Sequence, residues 1–190
     1  MTVVLTVLCA LAGFGVAWVD SITRGPIETA ALQKVAGAID TVLPNKDNDP
    51  IADRINVPVA PDHRGRPQSL TVFPAKKDGK IVAVALQASA AGYAGPINVL
   101  VGINLADQKL TGIFIAEQQE TIAAAQQALN PATKEGKAFV SQFAGKSLKK
   151  ALAKSDINAI SGATYSTRGV LAAINKARSL FVKYRDQIVK

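Results

Sequence analysis

Residues 97–116 read INVLVGINLADQKLTGIFIA, from Ile97 to Ala116. Apolar side chains alternate at Ile97, Val99, Val101 and Ile103, the period of two expected of a strand with one buried face. Ala106-Asp107-Gln108 interrupts the run, and a second run from Lys109 to Ala116 follows. Two strands joined by a short polar turn make a hairpin, and strands joined that way are antiparallel.

Upstream, Leu70–Phe73 and Lys80–Gln87 flank Lys77-Asp78-Gly79, a second hairpin with an Asp-Gly turn. Downstream, Gln118–Leu129 and Gly136–Phe143 read as helices, and the basic run LKKALAK (148–154) as a short third. Val170, Ile174, Ala177, Phe181, Tyr184 and Ile188 then recur at spacings of 4, 3, 4, 3 and 4, one apolar stripe of a long amphipathic helix. Toward the N-terminus, Gly25-Pro26 breaks the chain and Pro26 suits the first position of a helix. That helix carries Ile27, Ala31, Val35, Ile39 and Val42 on one face and ends at Leu43-Pro44. Asn45–Pro67, rich in acidic residues and proline, reads as a connection with little regular structure. The expectation is an α+β domain, a mainly antiparallel sheet packed with helices, preceded by an N-terminal transmembrane helix. Three parts follow: an anchor over 1–24, a helix and connecting segment over 25–67, and the principal domain over 68–190. There is no internal repeat, and the Gly13–Gly15 GxG has no strand leading into it, so it is not a dinucleotide loop.

The anchor rests on Val3–Val19, 17 residues without a charge. As a helix it spans roughly 26 Å, close to the hydrocarbon thickness of a bilayer. Trp18 suits the interfacial belt and Asp20 stops the run. A cleaved signal peptide is the rival, but the positively charged segment that opens such peptides is missing. No Lys or Arg precedes the span, whereas Arg24 and Lys34 follow it, a local charge balance that favours a cytoplasmic C-terminal domain.

Cys9, the only cysteine, lies inside this span, so an intramolecular disulfide and a thiolate metal cluster are excluded. His63, the only histidine, sits in PDHRGRP and reads as a solvated loop residue, which leaves no Ser-His-Asp triad. No catalytic side chain and no metal site is expected. The net charge of +8 is uneven: residues 1–145 hold 12 basic and 12 acidic side chains, whereas Lys146–Lys190 hold 10 basic and 2 acidic ones. No nucleic-acid motif or stacking aromatic array accompanies the basic segment, so nucleic acid is not expected as a partner. An anionic ligand, anionic lipid or a solvated helix face accounts for it as well.

Within the basic segment lies SGATYSTRGV, Ser161–Val170, with four Ser/Thr residues and two glycines ahead of the long helix. A Ser or Thr at an N-cap stabilises a helix by about 1 kcal/mol, and Ser166 or Thr167 is the expected cap. One hydroxyl is thereby explained; Thr164 and the Ser161-Gly162-Ala163 turn are not.

DINAISGATYSTRGVLAAI resembles the flavin attachment segment of the FMN-binding domain family, whose members include the G subunit of the Rnf electron-transport complex and the C subunit of the sodium-pumping quinone reductase. The helix ending in Val42-Leu43-Pro44, the Gly92-Tyr93-Ala94-Gly95-Pro96-Ile97 element and Val101-Gly102-Ile103 agree with the Rnf member. The resemblance implies that Thr164 is esterified to the phosphate of FMN. It further implies a cofactor site formed with Ser161, Gly162, Ala163, Tyr165, Ser166, Thr167, Glu120, Thr121 and Tyr93. It implies a membrane-anchored subunit that relays electrons within an ion-pumping ferredoxin:NAD oxidoreductase, alongside other membrane subunits and served by a flavin transferase. In that setting the chain crosses the inner membrane once with its flavin domain on the extracytoplasmic side, a placement that overrides the charge balance. A standalone flavinylated carrier and a non-redox anchored module are the alternatives.

Two departures from the family pattern stand out. Relatives carry Asp three residues before the Ser of S-G-A-T, where this chain has Asn158, with Asp156 two residues earlier. Relatives read E-T-P-G-L-G where this chain has Glu120-Thr121-Ile122-Ala123-Ala124-Ala125, so good helix formers replace a glycine-rich loop.

Overall fold

The computed structural model of the chain describes residues 6, 13–15, 18, 36–59 and 68–189. The chain separates into two units, Met1–Gly37 and Ala38–Lys190. In the first, residues 6, 13–15 and 18 are helical, and Phe14 and Trp18 are exposed. Among the described residues no helix is long and apolar enough to cross a membrane. The rest of the expected Val3–Val19 span lies outside the described residues, as do the Ile27–Val35 part of the following helix and the loop holding His63.

The second unit is built on a five-stranded antiparallel sheet in sequential order. Its strands are β1 (Ile55–Val59), β2 (Gln68–Lys77), β3 (Lys80–Ala91), β4 (Pro96–Asn104) and β5 (Leu110–Glu117). Both expected hairpins form. Lys77 pairs with Lys80 across Asp78-Gly79, whose φ values of 51° and 75° are the doubly left-handed pair that lets a two-residue turn follow the strand twist. The second turn closes with Gln108 at φ 54° and the Asn104 N–H donating to the Lys109 carbonyl at 2.9 Å.

β1 corrects the expectation for Asn45–Pro67, since five of those residues form a strand. Proline conceals it in the sequence, but Pro58 lies on the edge strand, the place in a sheet where proline is tolerated.

Alternation places two different layers on the two faces of the sheet. Val72, Val84, Leu86, Val99, Val101 and Ile113 face a core completed by α2 (Ala123–Leu129), α3 (Lys134–Ser141) and α4 (Thr164–Ile188). The whole stripe from Val170 to Ile188 is buried there, as its periodicity requires. On the opposite face Phe73, Ala75, Ala83, Ala85 and Leu100 are buried, as are Ala38, Ile39 and Val42 of α1, helical over residues 36–42, and Leu43 just after it. Here Gly102 is obligatory, because a Cβ would collide with Val42 and Thr111. The Thr111 hydroxyl donates to the Val42 carbonyl at 2.6 Å and ends α1 on the sheet.

Two helix expectations need correction. The N-terminal part of Gln118–Leu129 is not helical, since α2 begins only at Ala123. LKKALAK forms no helix, and only Lys154–Asp156 makes a 3-10 turn. Its backbone is claimed by α4 instead. The Leu152 N–H donates to Asn175 Oδ1 at 2.8 Å, Asn175 Nδ2 donates to the Leu152 carbonyl at 2.9 Å, and Arg178 donates to the carbonyls of Leu148 and Lys149 at 2.6 and 2.8 Å. Side chains on a stable helix satisfy this segment extended, so it gains nothing by coiling.

Candidate functional site

The site lies where three segments meet at one end of the sheet: the β3–β4 turn, the stretch between β5 and α2, and the start of α4. The turn is tight, with the Gly92 N–H donating to the Gly95 carbonyl at 2.8 Å. It packs onto α4 at Gly169, where a Cβ would meet the Ala91 carbonyl oxygen at 2.7 Å and Gly92 Cα at 3.2 Å. Glycine is therefore required in the helix because the turn's backbone takes the place of a side chain.

The residues SGAT form a turn in front of α4, with Gly162 at φ 74°. Thr164 is the first helical residue and half-buried, whereas Ser161 and Gly162 are exposed and Ala163 is buried. The expected cap by Ser166 or Thr167 does not occur. The helix starts at Thr164, so both residues lie inside its first turn, the cap position is Ala163, and no side chain caps the helix. Thr167 reaches backward instead. Its hydroxyl donates to the Ala163 carbonyl at 3.0 Å and accepts the Ile160 N–H at 3.1 Å, which ties the SGAT turn to the helix. The first helical bond is the Thr167 N–H to the Ala163 carbonyl, 3.0 Å. The N–H groups of Thr164, Tyr165 and Ser166 precede it and point out of the helix end, where an anion is favoured.

Two buried oxygens in this region have no hydrogen-bond partner among the described residues, Ser166 Oγ and Glu120 Oε2. Buried polar groups of folded proteins are nearly always satisfied, so both are suited to a polar ligand. Glu120 Oε1 accepts the Tyr93 N–H at 2.8 Å. The rings of Tyr93 and Tyr165 are 6.3 Å apart at 51°, and the Arg168 guanidinium stands 5.9 Å from the Tyr165 ring. Both tyrosines are mostly exposed, at 59% and 63%.

Of the residues singled out from sequence, Tyr93, Glu120, Tyr165 and the SGAT turn are brought together. Thr121 is exposed, and among the described residues no hydrogen bond ties it to the rest. Gly169 and Arg168 complete the arrangement. In the sequence Gly169 is legible only as a glycine in a helix interior, a position that needs a packing reason. Among the described residues no group of three or more metal-binding side chains occurs.

A protein-family model of the FMN-binding domain matches residues 92–179, which begin at the β3–β4 turn and end within α4. The G subunit of the ion-translocating oxidoreductase complex of Pseudomonas aeruginosa is 31% identical over 197 residues, covering 96% of this chain and 88% of that protein. The chain belongs to the FMN-binding domain family, among the G subunits of such complexes. The G subunit of the Na+-translocating ferredoxin:NAD+ oxidoreductase complex of Acetobacterium woodii is 28% identical over 198 residues, covering 94% of this chain and 88% of that one. The crystal structure of Shewanella oneidensis NqrC matches 75% of this chain and 74% of its own with a TM-score of 0.54 at 23% identity, a likeness of fold.

Proposed function

We propose that this chain relays electrons within an Rnf-type ion-translocating oxidoreductase complex through FMN held as a phosphoester on Thr164. The observation that carries the reading is the start of α4: an uncapped helix end with Thr164 at its first position, a buried and unpartnered Ser166 hydroxyl, and two exposed tyrosine rings alongside. These residues suit the parts of FMN in turn. Outward N–H groups and the helix dipole favour the phosphate, the dipole by about 0.3–1 kcal/mol. Free FMN phosphate carries about −1.5 to −2 charges, like other phosphomonoesters, whereas a diester on Thr164 keeps one. Arg168, beside Tyr165, is the nearest counter-ion on the helix. The planar rings of Tyr93 and Tyr165 suit an aromatic face.

Bound FMN supplies the redox chemistry; the chain holds the cofactor, orients it and sets its electrostatic surroundings. No side chain is asked to act as a nucleophile during turnover. The reading includes an N-terminal anchor over Val3–Val19, a domain on the extracytoplasmic side of the inner membrane, further membrane subunits as partners, and a flavin transferase that installs the cofactor.

Intact-mass measurement tests the central point. The full chain co-expressed with a flavin transferase is expected to carry one FMN-sized addition that survives denaturation, and Thr164→Ala none, with the folded domain retained. An adduct that persists in the variant would overturn the assignment.

A further inference from the structure

Glu120 is the only carboxylate among the buried described residues, at 3% exposure; the other buried polar residues are Ser166 and Thr167. Taking a carboxylate out of water is costly unless something compensates. Its surroundings show what the group does. Glu120 is braced along its own backbone, with its N–H donating to Gln118 Oε1 at 2.6 Å and its carbonyl accepting from Gln126 Nε2 at 2.8 Å. From that fixed base the carboxylate crosses to the β3–β4 turn and accepts the Tyr93 N–H. It occupies the space beside Gly92 that a Cβ would fill. The same turn also rests on Gly169 of α4. The turn is thus held by two elements remote in sequence. What it carries is Tyr93, whose ring meets Tyr165 just beyond Thr164.

We propose that Glu120 is a positioning residue for the flavin: its carboxylate fixes the Gly92–Pro96 turn so that Tyr93, with Tyr165, forms an aromatic wall of the isoalloxazine site. The inference rests on the reading of Thr164 as the attachment residue. A side-chain acceptor fixed on the Tyr93 N–H suits a short turn with two glycines that has little else to stiffen it. A tyrosine ring against an oxidised flavin quenches its fluorescence by donating an electron to the excited ring, so the wall has an optical signature independent of turnover.

The test uses the full chain, flavin-loaded by co-expression with the transferase, with one FMN per chain verified by intact mass. Tyr93→Ala and Tyr165→Ala are each expected to brighten flavin emission several-fold. Glu120→Ala is expected to brighten it as much as Tyr93→Ala does, and the Tyr93→Ala/Glu120→Ala double variant no further. Glu120→Gln, which keeps an acceptor at the same reach, is expected to restore most of the quenching. Glu120→Asp withdraws the carboxylate by one methylene while keeping the charge, and is expected to brighten emission even if Glu120→Ala fails to fold.

Quenching that survives Glu120→Ala or Glu120→Asp while Tyr93→Ala relieves it would overturn the positioning role. Unchanged emission in both tyrosine variants would overturn the wall. A measurement without flavin separates this inference from the attachment itself. In Thr164→Ala protein, amide exchange at Tyr93 is expected to be slow, and to accelerate at least tenfold when Glu120→Ala is added. A wild-type chain without the FMN mass would sink the attachment reading and leave the exchange comparison to judge Glu120.

Discussion

The two ends of the sheet are built from the same motif, the hairpin turn, and use it in opposite ways. At one end Asp78-Gly79 turns in open solvent: Gly79 has φ 75° and nothing within 4 Å of where a Cβ would stand. At the other end Gly92 has an ordinary negative-φ backbone, yet its surroundings leave no room for a side chain, with Ile97 Cδ1 at 2.8 Å, the Gly95 carbonyl oxygen at 2.9 Å and the Glu120 carboxylate against it. One glycine is present for conformation and the other for space. The first kind needs only its own dipeptide. The second exists because the β3–β4 turn, the segment after β5 and α4 converge, at the end of the sheet where the candidate site lies.

The contrast can be broken by adding one methyl group at each end. Gly92→Ala is expected to cost about 2–3 kcal/mol, since the methyl drives the turn off both Glu120 and α4. Gly79→Ala is expected to cost about 1 kcal/mol, the penalty for a left-handed residue with a Cβ. Urea unfolding with an unchanged m-value measures both. A larger loss at Gly79 would mean that the site turn is as adaptable as the solvent turn.

The same distinction explains what is legible in the sequence. The Asp-Gly turn, the alternation through Ile97–Ile103 and the stripe from Val170 to Ile188 are local patterns, and each element forms, although β4 is buried on both faces rather than one, Leu100 and Gly102 being covered as well. β1 escapes a local reading because its proline-bearing sequence becomes a strand only by pairing with β2. LKKALAK has a helical composition, but Asn175 and Arg178, more than 20 residues away, take its backbone groups. Within the site, the SGAT turn and Thr164 are legible as a motif. The burial of Ser166 and the carboxylate contact at Tyr93 are not, because they depend on segments remote in sequence, the turn at Gly92 meeting α4 at Gly169 and Glu120 reaching the Tyr93 N–H.

At the candidate-site end, the loop leading to SGAT gives a smaller, kinetic effect. Gln142 holds the backbone of Asn158 at both its N–H, 2.7 Å, and its carbonyl, 3.2 Å, leaving residue 158 itself exposed. The Asp156 carboxylate is turned back onto the Ala153 N–H at 2.8 Å, where it closes the 3-10 turn. Asp156 is therefore a poor substitute for the carboxylate that the family resemblance leads one to expect at position 158. Asn158→Asp is expected to raise the rate of FMN attachment several-fold in a time-limited reaction with flavin donor, Mg²⁺ and transferase, and Asp156→Asn to change it little. A carboxylate binds metal or orients a hydroxyl in ways a neutral amide does poorly. Near-abolition of attachment by Asp156→Asn would show that Asp156 is read despite its bond to Ala153.

The smallest effect is expected at the solvent end, where the carboxylate that braces the hairpin, Asp53, is only half-buried. Asp53 meets Lys76, one residue before the Lys77–Lys80 turn pair, at 2.9 Å, and receives a second hydrogen bond from Asn48 Nδ2 at 2.8 Å. Lys76 first and Asn48 second hold the Asp53 carboxyl below its ordinary value of 3.8. A lowered folded-state value means that the unfolded chain binds the proton more readily. The stabilisation is thus fully present above pH about 3.8 and is lost as pH falls through the lower folded value. Solvent screening keeps the gain small, as for most exposed ion pairs. Lys76→Met is expected to move the Asp53 titration, followed by carboxyl carbon NMR, back toward 3.8, and to leave stability at neutral pH nearly unchanged. It is also expected to leave flavin fluorescence unaltered, because the hairpin it touches lies at the far end of the sheet from Tyr93. A change in that emission would show that the two ends are mechanically coupled through β3, and that the division between a solvent turn and a site turn does not hold.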